Sequence, residues 1–327
     1  MKNIVTDNIV TIGGGVGHAQ VLKGLKELPN VAITAICPST DSGGSTGTLI
    51  RDYGCLGYLG DLTKCITALC PDEKLSAALL RRFQGGFLHG HSLKNLLLLG
   101  LSQTPGISHD EALVLMYRIC DISPHRVIPV STERAELCAT LTFGGNVTGE
   151  THIDNLANNP LWSADIHAIR SIYLKPAINA SAHAIDAILH ANHCVICPGD
   201  LYSSITPVLL PRGIKRSLQR TKARIIVVLN IMTKRGETDG YCAEDFIREI
   251  ESKMGRPCDA ILYNDASIPK RSLALYRLER KIRLSSKKLK ADPRLVRISG
   301  VTVDANGRVY HDPRALRAAL EKMFWPN

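Results

Sequence analysis

The chain reads Asn8-Ile-Val-Thr-Ile-Gly-Gly-Gly-Val-Gly17 close to its N-terminus, and this stretch decides the fold. Apolar and β-branched residues lead into three consecutive glycines, and a helical pattern over residues 18–28 follows at once. A buried parallel strand accounts for the apolar run, and glycine lets backbone N–H groups come close to a ligand. The N-terminus of the next helix offers free N–H groups and a positive dipole end to a phosphate. The stretch predicts the first strand–turn–helix unit of a nucleotide-binding sheet; a ligand-free tight turn is the alternative.

The glycine run departs from the dinucleotide-binding fingerprint in two places. Counting from Gly13, the sixth position requires glycine or alanine but is His18 here. The acidic residue expected after the second strand is also missing, because Val31–Cys37 is followed by proline. The loop is therefore predicted to bind phosphate, and NAD is not expected as a cofactor.

Composition indicates an ordinary soluble globular protein. The 327 residues are 45% hydrophobic and 21% charged. No apolar run approaches the roughly 20 residues that span a bilayer, so no transmembrane segment is expected. The N-terminus has no pattern of a secretory signal, and the cytoplasm is the expected location. We expect one α/β domain over residues 1–327, and the sequence leaves a homo-oligomer open.

Strand and helix patterns alternate along most of the chain. This alternation predicts a Rossmann-like, mainly parallel sheet with helices on both faces. Period-two alternation over about residues 127–153, with a turn at Gly144-Gly145-Asn146, predicts a small antiparallel hairpin insert. Residues 93–102 are apolar almost all round, which predicts a fully buried helix.

Ten cysteines at irregular spacing fit a reducing compartment better than a disulfide framework. Cys194 and Cys197 are the one tempting pair, and they lie in a strand pattern. Residues three apart on a strand point to opposite faces, so we do not expect this pair to share a metal.

The net charge of +10 is concentrated in a basic segment at about residues 270–297, which has eleven Lys or Arg and two acidic residues. Leu275, Leu278 and Ile282 recur there at helical spacing, which predicts an amphipathic helix with a cationic face. A solvated face and an anionic partner are both open interpretations.

Ligands of open α/β sheets bind outside the carboxyl ends of the strands, where the strand order reverses. Four loops at such ends are rich in Gly, Ser, Thr, Asn or Asp: residues 13–17, 39–47, 198–204 and 230–238. The side chain of Asn230 either reads a nucleobase edge or forms a turn. The nucleotide-binding candidates are Gly13, Gly14, Gly15, Val16, Gly17, Pro198, Gly199, Ser203, Asn230 and Thr233.

Two carboxylates near such a site are candidate catalytic residues and candidate ligands of Mg²⁺, which takes few protein oxygens and shares the rest with phosphate and water. They are Asp41 and Asp61; alternatively, Asp41 fixes a turn and Asp61 caps a helix. Arg51 and Lys64 either neutralise phosphate or pair with Asp52 and Asp61.

Histidines and nucleophile motifs add little. His89 and His91 flank Gly90 without a neighbouring acid pair or nucleophile, so they are structural or line a substrate. The sequence contains neither a Gly-x-Ser-x-Gly elbow nor a Walker lysine motif.

Seven motifs follow one another in a characteristic order. They are Gly-Gly-Gly-Val-Gly17, Asp41-Ser-Gly-Gly-Ser45, Gly60-Asp61, Gly90-His91-Ser-Leu-Lys-Asn95, Pro198-Gly199-Asp-Leu-Tyr-Ser203, Asn230-Ile-Met-Thr-Lys-Arg-Gly-Glu-Thr-Asp-Gly240 and His311-Asp312-Pro313. From about Ile9 to Pro313 the chain resembles the CofD/YvcK family of 2-phospho-L-lactate transferases and gluconeogenesis factors. The motifs after Pro198 and Asn230 are more similar to the YvcK-type subgroup.

The resemblance implies a Rossmann-like fold with a nucleotide at the strand ends. Transferases of the family join a phospholactyl-type group to a deazaflavin alcohol and release GMP from a GDP-linked donor with Mg²⁺. YvcK-type members are associated with UDP-sugar binding, central carbon metabolism and cell shape. The resemblance therefore favours a UDP-sugar-binding regulator without turnover, and a CofD-like transferase is the alternative.

Matching positions carry the family's roles onto this chain. Gly14, Gly15, Pro198, Gly199 and Asn230 would line the nucleotide, and Asp41 and Asp61 would be the metal candidates. A second-substrate pocket would involve Ser42, Arg51, Lys64, His91 and Asn95. The chain departs from the family at Lys64, where arginine is usual, and at Asp200, where a small hydroxyl residue is common. A carboxylate at Asp200 is unfavourable beside phosphate unless it faces a cation or bulk water.

Overall fold

A computed structural model describes residues 7–40, 42–54, 59–158, 162–163 and 168–325. The catalytic and metal candidate Asp41 lies outside these residues. The strands are β1 Asp7–Ile12, β2 Val31–Cys37, β3 Arg126–Pro129, β4 Glu136–Leu141, β5 Asn146–Thr148, β6 Ile169–Lys175, β7 His193–Ile196, β8 Arg224–Val228, β9 Ala260–Asn264, β10 Leu295–Ile298, β11 Val301–Val303 and β12 Val309–His311.

The helices surround the sheet, and short helical turns lie at Leu156–Asn158 (3₁₀) and Leu201–Ile205 (π). The α-helices are α1 Gly15–Leu25, α2 Gly44–Tyr53, α3 Leu59–Leu69, α4 Glu73–Leu80, α5 Leu93–Gln103, α6 His109–Ile119, α7 Glu150–Asp154, α8 Ala182–Leu189, α9 Thr206–Leu209, α10 Ile214–Arg220, α11 Ala243–Met254, α12 Lys270–Leu275, α13 Lys287–Lys290 and α14 Pro313–Phe324. None of these helices combines the length and the apolar character needed to cross a membrane.

Seven parallel strands form the central sheet in the order β10-β9-β8-β7-β1-β2-β3. The chain builds outward from β1 to β3 on one side and then returns to β1 to build from β7 to β10 on the other. The order therefore reverses between β1 and β7, which pair through Ile9 with His193 and Ile12 with Ile196. This confirms the predicted Rossmann-like α/β fold and places the binding crevice above these two strands.

The sheet divides the core into two halves. One half contains Leu22 and Leu62 of α1 and α3, and the other contains Phe246 of α11. Cys194 lies in one half and Cys197 in the other, as the strand pattern predicts.

The predicted antiparallel insert exists, but the strands that form it differ from the prediction. Residues of β3 pair in parallel with β2, with Thr34 opposite Arg126, so β3 belongs to the central sheet. The separate antiparallel sheet is β5-β4-β6. Strand β6 belongs to this second sheet, and alternate residues of β6 are exposed, as in a sheet with one solvated face. The hairpin turn through Gly144 and Gly145 is confirmed, and both glycines have positive φ.

Two helix predictions also fail. The basic segment is not one amphipathic helix: α12 ends at Leu275, and the left-handed φ of +44° at Arg277 breaks the helical path. Ile282 is buried, whereas Leu278 is exposed. Helix α5 is buried on one face only, where Leu98 and Leu99 join the core.

Candidate functional site

A cavity of about 320 Å³ opens at the carboxyl ends of β1, β7 and β8. This volume lies at the lower end of the roughly 300–1,000 Å³ typical of small-molecule sites. Its lining includes the predicted residues Gly15, Val16, Gly17, Pro198, Gly199, Asn230 and Thr233. Three of the four predicted loops therefore meet at the reversal of the strand order, and the described residues of the loop after β2 do not line the cavity.

The first turn of α1 supplies the anion-binding part of the cavity. The N–H groups of Val16 and Gly17 lie at the cavity wall and donate to no acceptor within the described residues. The N–H of Gly15 donates to Asp61 Oδ1 at 3.0 Å. The helix N-terminus thus keeps two unpaired amides and a positive dipole end, which is the arrangement that binds phosphate.

Close packing explains two of the glycines. A Cβ at Gly17 would lie 2.2 Å from the carbonyl oxygen of Pro198, so the β1 and β7 loops touch backbone to backbone. A Cβ at Gly14 would lie 2.5 Å from Asp61 Oδ2. Gly13 and Gly14 lie beneath the loop and are not among the residues that line the cavity, so their contact with a ligand stays a prediction.

The side chain of Asn230 does not reach toward a nucleobase. Its Oδ1 accepts from the Gly199 N–H at 3.3 Å, and its Nδ2 donates to the Gly199 carbonyl at 2.6 Å. Both ends of the amide therefore hold the loop after β7 in place. Asn230 therefore positions the loop at the cavity wall, and its contact with a nucleobase stays a prediction.

Ser203 is turned away from the cavity, contrary to the prediction, and Ser204 lines it. The Ser203 hydroxyl donates to Glu237 Oε1 at 2.6 Å, and Glu237 Oε2 accepts from the N–H groups of Tyr202 and Ser203. Glu237 is buried and caps the π-helical turn. Burial, and then the nearby Asp200 carboxylate, raise the pKa of Glu237 to about 8 despite these donors.

Asp200 faces a cation, which resolves the concern about a carboxylate near phosphate. Lys234 Nζ lies 3.6 Å from Asp200 Oδ2 and 3.0 Å from Asp154 Oδ1. Although burial opposes it, these two carboxylates raise the pKa of Lys234 above its ordinary value. The lysine is therefore charged at the cavity wall, a role that the sequence prediction missed although Lys234 lies in a quoted motif.

Asp61 joins the glycine loop to the second predicted pocket. Its Oδ1 also accepts from Lys64 Nζ at 2.9 Å, so Lys64 pairs with Asp61 as one alternative anticipated. Burial opposes ionisation, but Lys64, the Gly15 N–H and His18 together lower the pKa of Asp61. Asp61 lies in the first turn of α3, and its negative charge sits at the N-terminus of α1.

The second-substrate residues do not come together in one pocket, and none of them lines the cavity. Ser45 hydrogen-bonds His91 Nδ1 at 2.9 Å and accepts from Asn95 Nδ2 at 3.2 Å, so His91 and Asn95 lie together. Arg51 is exposed and pairs with Asp52. Ser42 contacts Thr151 of α7.

The wall opposite the glycine loop comes from the C-terminal part of the chain and was missed. Its residues are Leu275, Tyr276, Glu279, Asn306, Arg308, Val309, Tyr310 and His311. Tyr276 receives the Val309 N–H on its hydroxyl at 2.7 Å, and Thr233 exchanges hydrogen bonds with the Arg280 backbone. Only the His311-Asp312-Pro313 motif pointed to this wall.

His311 is a structural histidine. Its Nε2 donates to the Leu229 carbonyl at 2.9 Å, and its Nδ1 accepts from Asn264 Nδ2 at 3.1 Å. Burial lowers the pKa of His311 to about 4. With both nitrogens engaged, it has no lone pair for a substrate.

Comparison with known proteins agrees with this geometry. Residues 9–306 match the family described as 2-phospho-L-lactate transferase CofD. A Thermotoga maritima protein named as a gluconeogenesis factor is 34% identical over 96% of this chain and 98% of its own. The gluconeogenesis factor of Halalkalibacterium halodurans is 35% identical over 76% of this chain and 74% of its own.

A solved structure shares the fold over nearly the full length. The crystal structure of an upf0052 family protein from Bacillus halodurans has a TM-score of 0.85 and 30% sequence identity, with 96% of this chain and 99% of that chain covered. The chain therefore belongs to the CofD family and is a protein of the YvcK type, the gluconeogenesis factors.

Proposed function

We propose that this protein is a regulator that binds a nucleoside diphosphate sugar, a UDP-sugar in particular, without turning it over. The observation that supports this most is the cavity at the β1/β7 reversal, where the amides of Val16 and Gly17 are free to receive a pyrophosphate. The loop after β7, which Asn230 holds at Gly199, and the charged Lys234 form the polar part of the cavity wall. The opposite wall offers apolar surface from Leu275, Met232 and Val309 to a base or sugar.

The titratable groups of the cavity support binding without turnover. His311 has both ring nitrogens engaged, and Asp200 is paired with Lys234. Glu279 accepts from the Arg235 N–H at 3.1 Å. The ring of His311 is therefore not available as a general base, and Asp200 and Glu279 are each held by a partner. A role in central carbon metabolism and cell shape belongs to the same proposal; the name gluconeogenesis factor of the relatives supports the first, and only the family resemblance supports the second.

A thermal-shift panel tests the nucleotide. UDP-GlcNAc or UDP-glucose at about 100 times its dissociation constant should stabilise the native state by about 2.7 kcal/mol. If UDP-GlcNAc, UDP-glucose and GDP all leave the melting temperature unchanged with Mg²⁺ present, the proposal is wrong.

The alternative is a transferase that moves a phospholactyl-type group from a GDP-linked donor to a deazaflavin alcohol. The pair of Asp61 and Lys64 beside the α1 N-terminus favours it, because phosphoryl-type transfer depends on positioning and charge neutralisation. Asp61 fits Mg²⁺ in part: Oδ1 already accepts from Gly15 and Lys64, which leaves Oδ2. When bound, Mg²⁺ would neutralise developing phosphate charge. Release of GMP from such a donor, measured with wild type and Asp61→Asn, tests this function.

The basic segment of residues 270–297 is proposed as a surface for an anionic partner. Within the described residues, Arg294 is its one cation in an ion pair, with Asp292 and Glu251. The exposed cations are Lys270, Arg271, Arg277, Arg280, Arg283, Lys287, Lys288, Lys290 and Arg297. So many exposed cations outside ion pairs favour binding to an anionic partner over a face that only water contacts.

A further inference from the structure

A cluster of soft metal-binding side chains lies directly beneath the glycine loop. It consists of His18 of α1, Cys37 at the end of β2 and Cys65 of α3, and we call it the Cys–His cluster. All three residues are fully buried, and no part of the proposed nucleotide site uses their side chains. Three separate elements therefore bring two thiols and an imidazole together in the interior.

The distances within the cluster suit a tetrahedral ion. Cys37 Sγ and Cys65 Sγ are 3.5 Å apart, and Cys65 Sγ lies 3.6 Å from His18 Nδ1. All three ligand atoms lie within 4.8 Å of one another. Zinc–sulfur bonds of about 2.3 Å and zinc–nitrogen bonds of about 2.0 Å imply ligand–ligand separations of roughly 3.5–3.8 Å. The separations of Cys65 from Cys37 and from His18 therefore already suit an ion.

The surroundings of His18 also resemble those of a metal ligand. Its Nε2 lies 2.8 Å from the hydroxyl of Thr11, which is fully buried. Histidine ligands are usually oriented by such a hydrogen bond from the second ring nitrogen. Without a metal, Nδ1 donates to the Gly13 carbonyl at 2.8 Å, and a bound ion would replace this proton.

A further buried thiol lies outside the set. Cys197 follows β7 and is fully buried, and its Sγ donates to the Val195 carbonyl at 3.7 Å. It is not one of the three residues whose ligand atoms lie within 4.8 Å of one another. Two cysteines and one histidine therefore supply three ligands, which leaves the fourth position of a tetrahedral ion to water or another small ligand. The three residues come from distant parts of the sequence, so no local spacing indicates them.

We infer that His18, Cys37 and Cys65 form a buried site for a thiophilic divalent cation, with Zn²⁺ as the expected ion. The ion would join the end of β2 to helices α1 and α3. Its binding would deprotonate the thiols and release the Gly13 carbonyl from its hydrogen bond with His18. The inference does not depend on which nucleotide, if any, the cavity binds.

Metal content of the full-length protein, purified under reducing conditions without chelator, tests the site. We expect one zinc per chain by elemental analysis, and loss of most of it in Cys37→Ser and in Cys65→Ser. Cys194→Ser is the matched control, because Cys194 is equally buried but packs in the other half of the core. The control should retain wild-type zinc.

Cobalt gives a second readout that needs no variant. Chelator-stripped wild-type protein titrated with Co²⁺ should develop thiolate-to-cobalt charge-transfer absorption that saturates at one equivalent and is reversed by Zn²⁺. Absence of this absorption together with absence of zinc would overturn the inference, even if the serine variants fail to fold. Equal zinc in wild type and folded Cys65→Ser would overturn it as well. All measurements are made without nucleotide, so a failure of the nucleotide proposal leaves them unaffected.

Discussion

Asn230 brackets Gly199, because its side-chain amide accepts from the N–H and donates to the carbonyl of that residue. The loop after β7 is thereby attached to the end of β8, its neighbour in the sheet. The two hydrogen bonds hold the peptide groups on both sides of Gly199 and so fix the orientation of the loop at this residue. The shape of the pyrophosphate site thus depends on a residue that need not touch the ligand.

Asn230→Ala should weaken nucleotide binding by about tenfold or more. The variant loses both hydrogen bonds to the half-buried backbone of Gly199, so the loop after β7 is no longer held in place. Isothermal titration with the nucleotide that gives the largest thermal shift measures the change. Asn192→Ala is the control, because Asn192 accepts from Asn8 at the opposite edge of the sheet. Equal affinity in Asn230→Ala and wild type would exclude the positioning role.

Gly17→Ala should destabilise the protein by about 1–3 kcal/mol, because its Cβ would meet a backbone oxygen that no side-chain rotation can move. Chemical denaturation measures the free energy of unfolding. Gly100→Ala is the control: no atom lies within 4 Å of a Cβ there, and alanine in a helix should be stabilising by about 0.5–1 kcal/mol. A neutral Gly17→Ala would contradict the close contact of the two loops.

His311 should make the protein acid-sensitive. Burial lowers the pKa of His311 from the ordinary 6.5 to about 4, so between these values the unfolded chain binds a proton that the folded chain does not. Stability is therefore complete above about pH 6.5 and is lost as the pH falls toward 4, by roughly 3 kcal/mol at most. Unfolding free energies of His311→Gln should fall less steeply over this window. The exposed His183→Gln should keep the wild-type slope, and identical slopes in all three proteins would argue against a buried neutral His311.

Asp61→Asn should remove the effect of Mg²⁺ on nucleotide affinity, because the variant keeps the size of the side chain but loses its charge. Titrations with and without Mg²⁺ provide the measurement. Glu133→Gln, which removes a carboxylate that holds Asn179 outside the cavity lining, is the control. If Mg²⁺ raises affinity equally in wild type and Asp61→Asn, then Asp61 is not the ligand.

Retention of the protein on anionic lipid vesicles should depend on the basic segment and fall steeply with salt. Lys287→Glu with Lys288→Glu should reduce it several-fold. Arg216→Glu with Arg220→Glu changes the net charge equally outside the segment and should have a smaller effect. Retention that salt does not change would contradict an electrostatic surface.

Local pattern was sufficient to predict the central fold. Strand β2 has its predicted bounds, Val31–Cys37, and helix α6 begins at its own cap, because apolar runs and helix caps act over a few residues. The capping box of Ser108 and Glu111 shows how such a boundary is fixed. Partner choice was harder: β3 and β6 have similar patterns but pair in different sheets.

The sequence predicted the parts of the candidate site that the backbone forms. It did not predict the parts that depend on the direction of a side chain. Gly15, Val16, Gly17 and Gly199 follow from the glycine loops. By contrast, the roles of Asn230 and Ser203 depend on which way a side chain turns, and their partners Gly199 and Glu237 are about 30 residues distant. The wall around Tyr276 and Val309 depends on the tertiary path of the C-terminal part, which no local pattern encodes.

The hairpin of β11 and β12 faces the first turn of α1 across one cavity, although the two are nearly a whole chain apart in sequence. A molecule held between Gly17 and Val309 would act as a clasp between the beginning and the end of the described chain. Binding of such a molecule should slow amide exchange and proteolytic cleavage around Tyr276 as much as in the glycine loop. Ligand occupancy could therefore be measured at residues far from the glycine loop in sequence.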